Sequence, residues 1–176
     1  MFATDQSEIA QQIRAFGENL RRTRLRAGLT QVQLSGAAPL DRAAISRLEC
    51  GERAPDLRTL LRICGALEVD PRELLRGIGP KSSPRRGRVR GNTVSAEDPA
   101  SRFGGNLRWA RERAGISQER LALDAKVDRA AISVYENGGR EPNLRTVFKL
   151  AMKLEVRPAL LLGDIPAAAD RASPRR

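Results

Sequence analysis

An internal duplication constrains the fold of this chain more than any other feature of its sequence. Shifting the sequence by 87 residues aligns residues 16–75 with residues 103–162 without a gap, and 31 of the 60 aligned positions are identical. The longest identical block, DRAAIS, occurs at residues 41–46 and again at residues 128–133. A long period that occurs twice indicates two duplicated domains, because a solenoid needs shorter and more numerous repeats.

Each repeat has the apolar spacing and the capping residues of a series of short helices. Phe16, Leu20 and Leu25 predict an apolar stripe on a first helix, which we expect to end at Gly28. Ile45 and Leu48 are expected to lie on a third helix and to face the core of the domain. No alternating strand pattern occurs. We therefore predict an all-α chain with two tandem five-helix domains, and N-caps at Thr30, Ser117, Asp41 and Asp128.

The predicted domain boundaries follow the two repeats and the composition between them. We expect domains at residues 16–78 and 102–163, after an N-terminal extension at residues 1–15. Residues 79–101 are rich in Pro, Gly, Ser and Arg, which predicts a flexible basic linker. The tail, residues 164–176, is expected to be disordered.

Two apolar residues in the extension continue the stripe of the first helix. Ile9 and Ile13 precede Phe16 and Leu20 at spacings of four, three and four residues. This spacing predicts that the first helix of the first repeat is longer than its counterpart. The alternative is a dimer contact, which would make a second copy of the chain a partner.

The charge of the chain favours a polyanionic partner and gives no support to an enzyme. The formal net charge is +11, and each phosphate that a cation neutralises releases a counterion. A GC-rich genome is an alternative origin of this charge, since Arg and Ala are abundant. The sequence has no histidine, the commonest general base and metal ligand. We therefore expect no enzyme activity, no metal, no cofactor and no small-molecule ligand.

The apolar and cysteine content indicates a cytoplasmic protein with no membrane partner. No apolar run approaches the ~18 residues of a membrane span, and the N-terminus lacks the pattern of a signal peptide. Cys50 and Cys64 are too few for a disulfide scaffold or a zinc site and are expected to be free thiols. We expect a bacterial or phage-encoded protein associated with the nucleoid.

Three sequence runs in the first repeat resemble one family of DNA-binding proteins. GLTQVQL, DRAAISRLE-x-G and RAPDLRTLLRICGALEVDPRELL are similar to the Cro/lambda-repressor helix-turn-helix family, also called the XRE family. In the second repeat, GISQERLALDA and DRAAISVYENGGREPNLRTVFKLAMKLEV resemble it over the same elements. The resemblance implies lambda-repressor-like domains in a regulator of transcription that binds double-stranded DNA, more often as a repressor than an activator. The duplication on one chain predicts that the DNA site is bipartite. An antitoxin-like protein-interaction module is the alternative.

The resemblance also identifies the candidate base contacts. In a helix-turn-helix, the N-terminal part of the second motif helix enters the major groove, and here that helix is predicted at residues 42–50 and 129–137. An arginine in its first turn matches the O6/N7 acceptors of guanine, and an alanine methyl matches thymine, although such an arginine could bind phosphate instead. The predicted base contacts are Arg42, Ala43, Ser46, Arg47, Arg129, Ala130, Ser133 and Val134.

Other residues are predicted to bind the DNA backbone. By resemblance, Gln31 and Gln118 bind a phosphate and support the recognition helix, and ordinary surface glutamines are the alternative. Arg86 and Arg88 lie in PRRGRVRG, which is similar to an AT-hook, although a solvated basic tether is favoured. The remaining predicted phosphate contacts are Asn137, Arg53 and Arg140.

Two ion pairs and one turn complete the predicted site. Arg24 with Glu49, and Arg111 with Glu136, resemble a buried family pair that links the first and third helices. Pro39 lies where relatives commonly have glycine, and we expect a reshaped turn because proline is not expected to adopt a positive φ. Cys50 occupies the position of Asn137, so the first repeat is expected to bind DNA more weakly.

Overall fold

The computed structural model describes residues 2–80 and 98–163, and in these ranges the chain consists of helices without strands. Each repeat contributes five helices, so the predicted all-α class and the helix count per repeat are confirmed. The helices are α1 (Phe2–Arg26), α2 (Gln31–Ala37), α3 (Arg42–Glu49), α4 (Leu57–Ala66), α5 (Pro71–Leu74), α6 (Pro99–Arg113), α7 (Gln118–Ala125), α8 (Arg129–Glu136), α9 (Leu144–Lys153) and α10 (Pro158–Leu161).

The N-caps explain where the helices of the motif begin. The Thr30 hydroxyl accepts a hydrogen bond from the backbone N–H of Gln33, and the side-chain oxygen of Gln33 accepts one from the backbone N–H of Thr30. Helix α2 therefore begins with a capping box. The side chains of Ser117 and Asp128 also accept capping hydrogen bonds. Asp41 occupies the N-cap position of α3, but its side chain makes no capping bond, so that expected contact is wrong.

The helices of each repeat enclose an apolar core of the predicted residues. Phe16, Leu20 and Ile45 are fully buried in the first repeat. In the second repeat, Phe103 meets Tyr135 edge to face, with ring centroids 6.1 Å apart. Leu25 is 58 % exposed, so its assignment to the apolar stripe is wrong.

Glycine allows the first helix of each repeat to approach the end of the third. A Cβ built on Gly17 would lie 2.5 Å from the carbonyl oxygen of Leu48, and one on Gly104 would lie 2.2 Å from that of Tyr135. Both obstacles are backbone atoms, so no side-chain rotation could relieve the clash. The position of the third helix therefore depends on these two glycines.

The N-terminal extension is the first half of α1, and it packs within the chain. Ile9 and Ile13 are both nearly completely buried, and α1 contacts α9 of the second repeat. Asp5 forms an ion pair with Lys153 at 2.8 Å. The chain itself therefore covers the Ile9–Ile13 stripe that was an alternative dimer contact. At the start of the second repeat, α6 begins at Pro99, inside the predicted linker.

The turn before α3 has Pro39 where the turn before α8 has Lys126. Pro39 adopts φ of +21°, where Lys126 adopts +51°, so this position keeps a positive φ, contrary to the expectation, with strain in the pyrrolidine ring. Lys126 N–H donates to the Leu123 carbonyl at 3.3 Å, and proline has no such donor.

The main turn bond is the same in both repeats despite this difference. Leu40 N–H donates to the Ser35 carbonyl at 2.9 Å, and Val127 N–H donates to the Ala122 carbonyl at 3.0 Å. Helix α2, however, ends one position earlier in the first repeat than its counterpart α7 does in the second. The difference between the two turns is therefore confined to the C-terminal end of α2.

Candidate nucleic-acid interface

The outer face of α3 presents the four predicted base-contact residues of the first repeat. Arg42, Ala43 and Arg47 are exposed, and Ser46 is half-buried. The opposite face, with Ile45 and Leu48, is buried in the core. The helix ends at Glu49, one residue before the predicted end.

The outer face of α8 has the same arrangement with one change of chemistry. Arg129 and Ala130 are exposed in its first turn, and Ser133 is half-buried. Val134 is 40 % exposed where the first repeat has Arg47. The two faces therefore share three residue types and differ at the fourth.

A buried ion pair fixes the far end of α3 to α1. Arg24 donates from Nε to Glu49 Oε1 at 2.6 Å and from Nη2 to Oε2 at 3.0 Å. Its Nη1 donates to the carbonyl of Leu29 at 2.7 Å. Both side chains are almost fully buried. Two parallel bonds constrain orientation as well as distance, so the pair acts as a clamp on the helix.

The second repeat has the same clamp. Arg111 donates from Nε and Nη2 to the two oxygens of Glu136, at 2.6 Å and 3.0 Å. Its Nη1 donates to the carbonyl of Ile116 at 3.0 Å. Each predicted pair is thus formed and links the first and third helices of its repeat.

The glutamine that opens α2 in the first repeat and α7 in the second extends this clamp. Gln31 Nε2 donates to Glu49 Oε2 at 2.9 Å, and Gln118 Nε2 donates to Glu136 Oε2 at 2.8 Å. An amide nitrogen has two hydrogens, so each glutamine retains one donor. The retained donor lies beside the N-terminus of α2 or α7, where an anion is favoured. Phosphate binding by these residues stays a prediction.

The clamp also shifts the protonation equilibria of its members. Burial favours the neutral form of Glu49, but hydrogen bonds from Arg24 and Gln31 outweigh it and hold the pKa of Glu49 below its ordinary value. The hydrogen bond to Glu49 raises the pKa of Arg24, and the bond to Glu136 raises the pKa of Arg111. Both arginines are therefore charged at neutral pH.

One contact of the interface was missed at the level of sequence. Glu119 of α7 lies 3.0 Å from the guanidinium of Arg129, the first residue of α8. In the first repeat the equivalent position holds Val32, which is 60 % exposed. The substitution was visible in the aligned repeats, but only the three-dimensional turn brings this position beside the recognition helix.

The remaining candidates lie on the surface or outside the described residues. Asn137, Arg53 and Arg140 are exposed, and Cys50 is exposed at the position of Asn137. The predicted contacts Arg86 and Arg88 lie outside the described residues.

The described residues contain neither a cluster of metal ligands nor a helix that could span a membrane. No group of three or more His, Cys, Asp or Glu side chains within residues 2–80 and 98–163 is placed to hold a metal ion. In the same part of the chain, every helix is too short or too polar to cross a bilayer.

Comparison with known proteins matches both repeats. A family model described as "Helix-turn-helix domain" matches residues 15–76, and one described as "Helix-turn-helix" matches residues 107–161. An uncharacterized HTH-type transcriptional regulator of Bacillus subtilis (strain 168), YqaE, is 37 % identical over 62 residues, which are 35 % of this chain and 53 % of that protein. The chain therefore spans about half the length of this curated relative.

The chain is also similar to a solved structure. The restriction-modification controller protein C.AhdI from Aeromonas hydrophila is 37 % identical, over 35 % of this chain and 94 % of that chain, with a TM-score of 0.35.

Proposed function

The chain belongs to the Cro/lambda-repressor (XRE) family of helix-turn-helix proteins, and on that premise we propose that it is a sequence-specific regulator of transcription that binds double-stranded DNA. The observation that carries the proposal is the repeated pair of recognition faces. In each repeat an Arg-Ala pair is exposed in the first turn of the third helix, while a buried clamp holds the other end. This arrangement suits insertion of the helix N-terminus into the major groove.

The bases are contacted by the outer faces of α3 and α8. Arg42 and Arg129 each present a planar fork of donors that fits the O6/N7 edge of guanine. Ala43 and Ala130 offer a methyl contact to thymine, and the serine one turn later offers a hydroxyl. The fourth position is occupied by Arg47 in α3 and by Val134 in α8.

The phosphates are contacted by residues that surround these faces. Gln31 and Gln118 each donate to a phosphate the side-chain amide hydrogen that is not bonded to Glu49 or Glu136, and the helix N-terminus also favours the anion. Arg53, Arg140 and Asn137 are exposed near the C-terminal ends of the recognition helices and supply further donors. A net charge of +11 favours the approach to any duplex and makes binding dependent on salt.

The two recognition helices bind a bipartite site, and the bound chain represses transcription by covering promoter DNA. The protein acts in the cytoplasm of a bacterium or of a phage host. A transcription assay on a template with the selected site tests the direction, because added protein should lower the yield of transcript. An increase would identify an activator.

The binding proposal is tested by selection from random duplexes followed by fluorescence polarisation. We expect the chain to enrich one motif. Arg129→Ala should cost about 1–3 kcal/mol of specific binding, mostly as lost discrimination at one base pair. Arg86→Ala is the matched control, and it should weaken all sequences alike and flatten the salt dependence.

Two outcomes would contradict these assignments. If no sequence is enriched, the chain is not a sequence-specific DNA-binding protein, and an interaction role like that of an antitoxin becomes the better explanation. If Arg129→Ala weakens specific and random duplexes equally, Arg129 contacts phosphate rather than a base.

A further inference from the structure

The two repeats contact each other through equivalent residues. Leu57 N–H donates to the carbonyl of Pro142 at 3.1 Å, and Leu144 N–H donates to the carbonyl of Pro55 at 2.8 Å. Leu57 and Leu144 are 87 residues apart, as are Pro55 and Pro142, which is the offset of the duplication. The two bonds are therefore reciprocal, because each repeat donates one backbone N–H and accepts one hydrogen bond at equivalent positions.

The geometry of this contact defines a local two-fold axis. Asp56 and Asn143 lie opposite each other in an antiparallel bridge, between the two reciprocal bonds. An antiparallel bridge between equivalent residues is mapped onto itself by a half-turn about its centre. A head-to-tail arrangement would instead bring non-equivalent surfaces together.

A second contact between equivalent elements agrees with the same axis. Helices α5 and α10 are copies of each other, and they also contact one another. The bridge and this contact lie in different parts of the repeats. A chance contact at one loop would not bring together both Asp56 with Asn143 and α5 with α10.

Other contacts hold the repeats together without obeying the symmetry. Arg58 pairs with Glu141 at 3.3 Å across the bridge, and the position equivalent to Glu141 holds Ala54. Asp5 in the extension of α1 pairs with Lys153 of α9. These asymmetric contacts favour one relative placement of the two recognition helices over a freely tethered pair.

We infer that a single chain binds an inverted repeat of two unequal half-sites, with its local two-fold axis on a dyad of the duplex. This rests on the proposed function and adds orientation, stoichiometry and asymmetry to it. B-DNA has local dyads perpendicular to its axis. Two recognition helices related by a half-turn engage a duplex equivalently only when the two axes coincide, which requires inverted half-sites.

The same contacts make a second chain unnecessary. Repressors of this architecture span two half-sites by pairing two subunits. Here both recognition helices are on one polypeptide, and the contact is intramolecular. Binding is therefore first order in protein and has no dimerisation step at low concentration.

The two half-sites are unequal because the recognition faces differ in charge. Arg47 on α3 has Val134 as its counterpart on α8, and Glu119 beside α8 has Val32 as its counterpart beside α3. The α3 half carries one more positive charge and lacks the acidic residue. The fully symmetric palindrome of either half-site should therefore bind more weakly than the natural asymmetric site.

Orientation and stoichiometry are tested with the full-length wild-type chain. The selected half-sites are placed as inverted, direct and everted repeats in duplexes of equal length and composition. We expect the inverted repeat to bind at least about tenfold more tightly, with one chain per duplex by native mass spectrometry. Inserting about half a helical turn between the half-sites should abolish this advantage.

A disulfide across the two-fold axis tests whether the DNA-bound arrangement is the one described. Asp56 and Asn143 form a non-hydrogen-bonded antiparallel pair, whose Cα atoms are about 4.5 Å apart in regular bridges, within the range of a disulfide. The variant is Asp56→Cys with Asn143→Cys, in a Cys50→Ser background. Both native residues cap helices, so the helix content of the reduced form is the control.

The oxidised variant should be an intramolecularly linked monomer that binds the inverted repeat within about threefold of its reduced form, since the crosslink adds no new arrangement. Loss of binding on oxidation that reduction restores would overturn the inference, as would disulfides formed only between chains. If the reduced variant does not fold, the wild-type orientation assay decides alone.

The outcomes separate this inference from the function on which it rests. A wild-type chain that enriches no motif defeats the proposed function. A chain that enriches a motif but binds direct repeats equally well, or binds with two chains per duplex, defeats only the inferred arrangement.

Discussion

Arg129 at the start of α8 and Glu119 of α7 form an ion pair of 3.0 Å on the face proposed to contact DNA. Both side chains are largely exposed, so the pair contributes little to stability. Under the proposed function its effect is on DNA binding, because the carboxylate would compete with a guanine edge or a phosphate for the same guanidinium. The first repeat has Val32 at this position and therefore lacks this competitor.

Replacing Glu119 with the residue of the first repeat should strengthen DNA binding. Glu119→Val removes a negative charge from the interface and releases Arg129, so we expect affinity for all duplexes to rise severalfold. Fluorescence polarisation at several salt concentrations measures the change. Val32→Glu is the reciprocal control and should lower affinity. Weaker specific binding by Glu119→Val would instead assign Glu119 to the positioning of Arg129.

Gly104 should be intolerant of a methyl group, unlike its neighbour Gly105. A Cβ at Gly104 would clash with the carbonyl oxygens of Tyr135 and Glu136, which belong to the backbone of α8. We expect Gly104→Ala to destabilise the second repeat by about 1–3 kcal/mol or more and to displace α8. Urea unfolding followed by the fluorescence of Trp109, the single tryptophan, gives the free energy of unfolding.

The adjacent glycine provides the matched control. A Cβ at Gly105 meets no atom within 4 Å, and the residue lies inside α6. Gly105→Ala should therefore stabilise the repeat by about 0.5–1 kcal/mol, since alanine loses less backbone entropy in a helix. Equal effects of the two substitutions would contradict the close approach of α6 and α8.

Removing one member of a clamp should be costly, while removing an exposed ion pair on the same helix should not. Arg111→Ala leaves the buried carboxylate of Glu136 without its bidentate partner, and we expect a loss of about 3–5 kcal/mol. Arg108 pairs with Glu112 on the surface, and Arg108→Ala should cost only about 0.3–0.5 kcal/mol. The same Trp109 assay measures both. A small effect of Arg111→Ala would show that the pair is dispensable.

The first repeat should lose stability as the pH falls through the acid range. The pKa of Glu49 is below its ordinary value in the folded chain, so its contribution is fully present above the unfolded pKa of about 4.3. That contribution is lost as the pH falls from about 5 through the lower folded pKa. Hydrogen exchange of α1 and α3 amides at pH 7, 5, 4 and 3 measures it. Glu49→Gln should flatten the profile, and parallel profiles would contradict the assignment.

Helical periodicity and capping made most of each repeat predictable. Ile45 and Leu48 are three residues apart, and residues at that spacing share a helix face, so their burial followed from the sequence. Leu25 was misassigned because it follows Leu20 by five residues, which at about 100° per residue places it well off the stripe. The exposed 58 % of its surface agrees with that geometry.

Side-chain partners were less predictable than helix faces. Whether a glutamine donates to a phosphate or to a buried carboxylate depends on a distance of a few ångströms between elements 18 residues apart, as for Gln31 and Glu49. The pairing of Glu119 with Arg129 likewise depends on how the motif turn is closed. Neither contact has a periodic signature, because each joins two different helices.

The 87-residue duplication and the helical periodicity were enough to predict two copies of one helical domain with nearly matching recognition faces. How the copies meet could be seen only in the folded chain. The hydrogen bonds on either side of the Asp56–Asn143 bridge join backbone N–H groups to backbone C=O groups, which are the same in residues of every type except for the missing N–H of proline. Such a contact leaves no pattern in the residue types, and it joins positions 87 residues apart. The relative placement of the recognition helices is therefore a property of the folded chain.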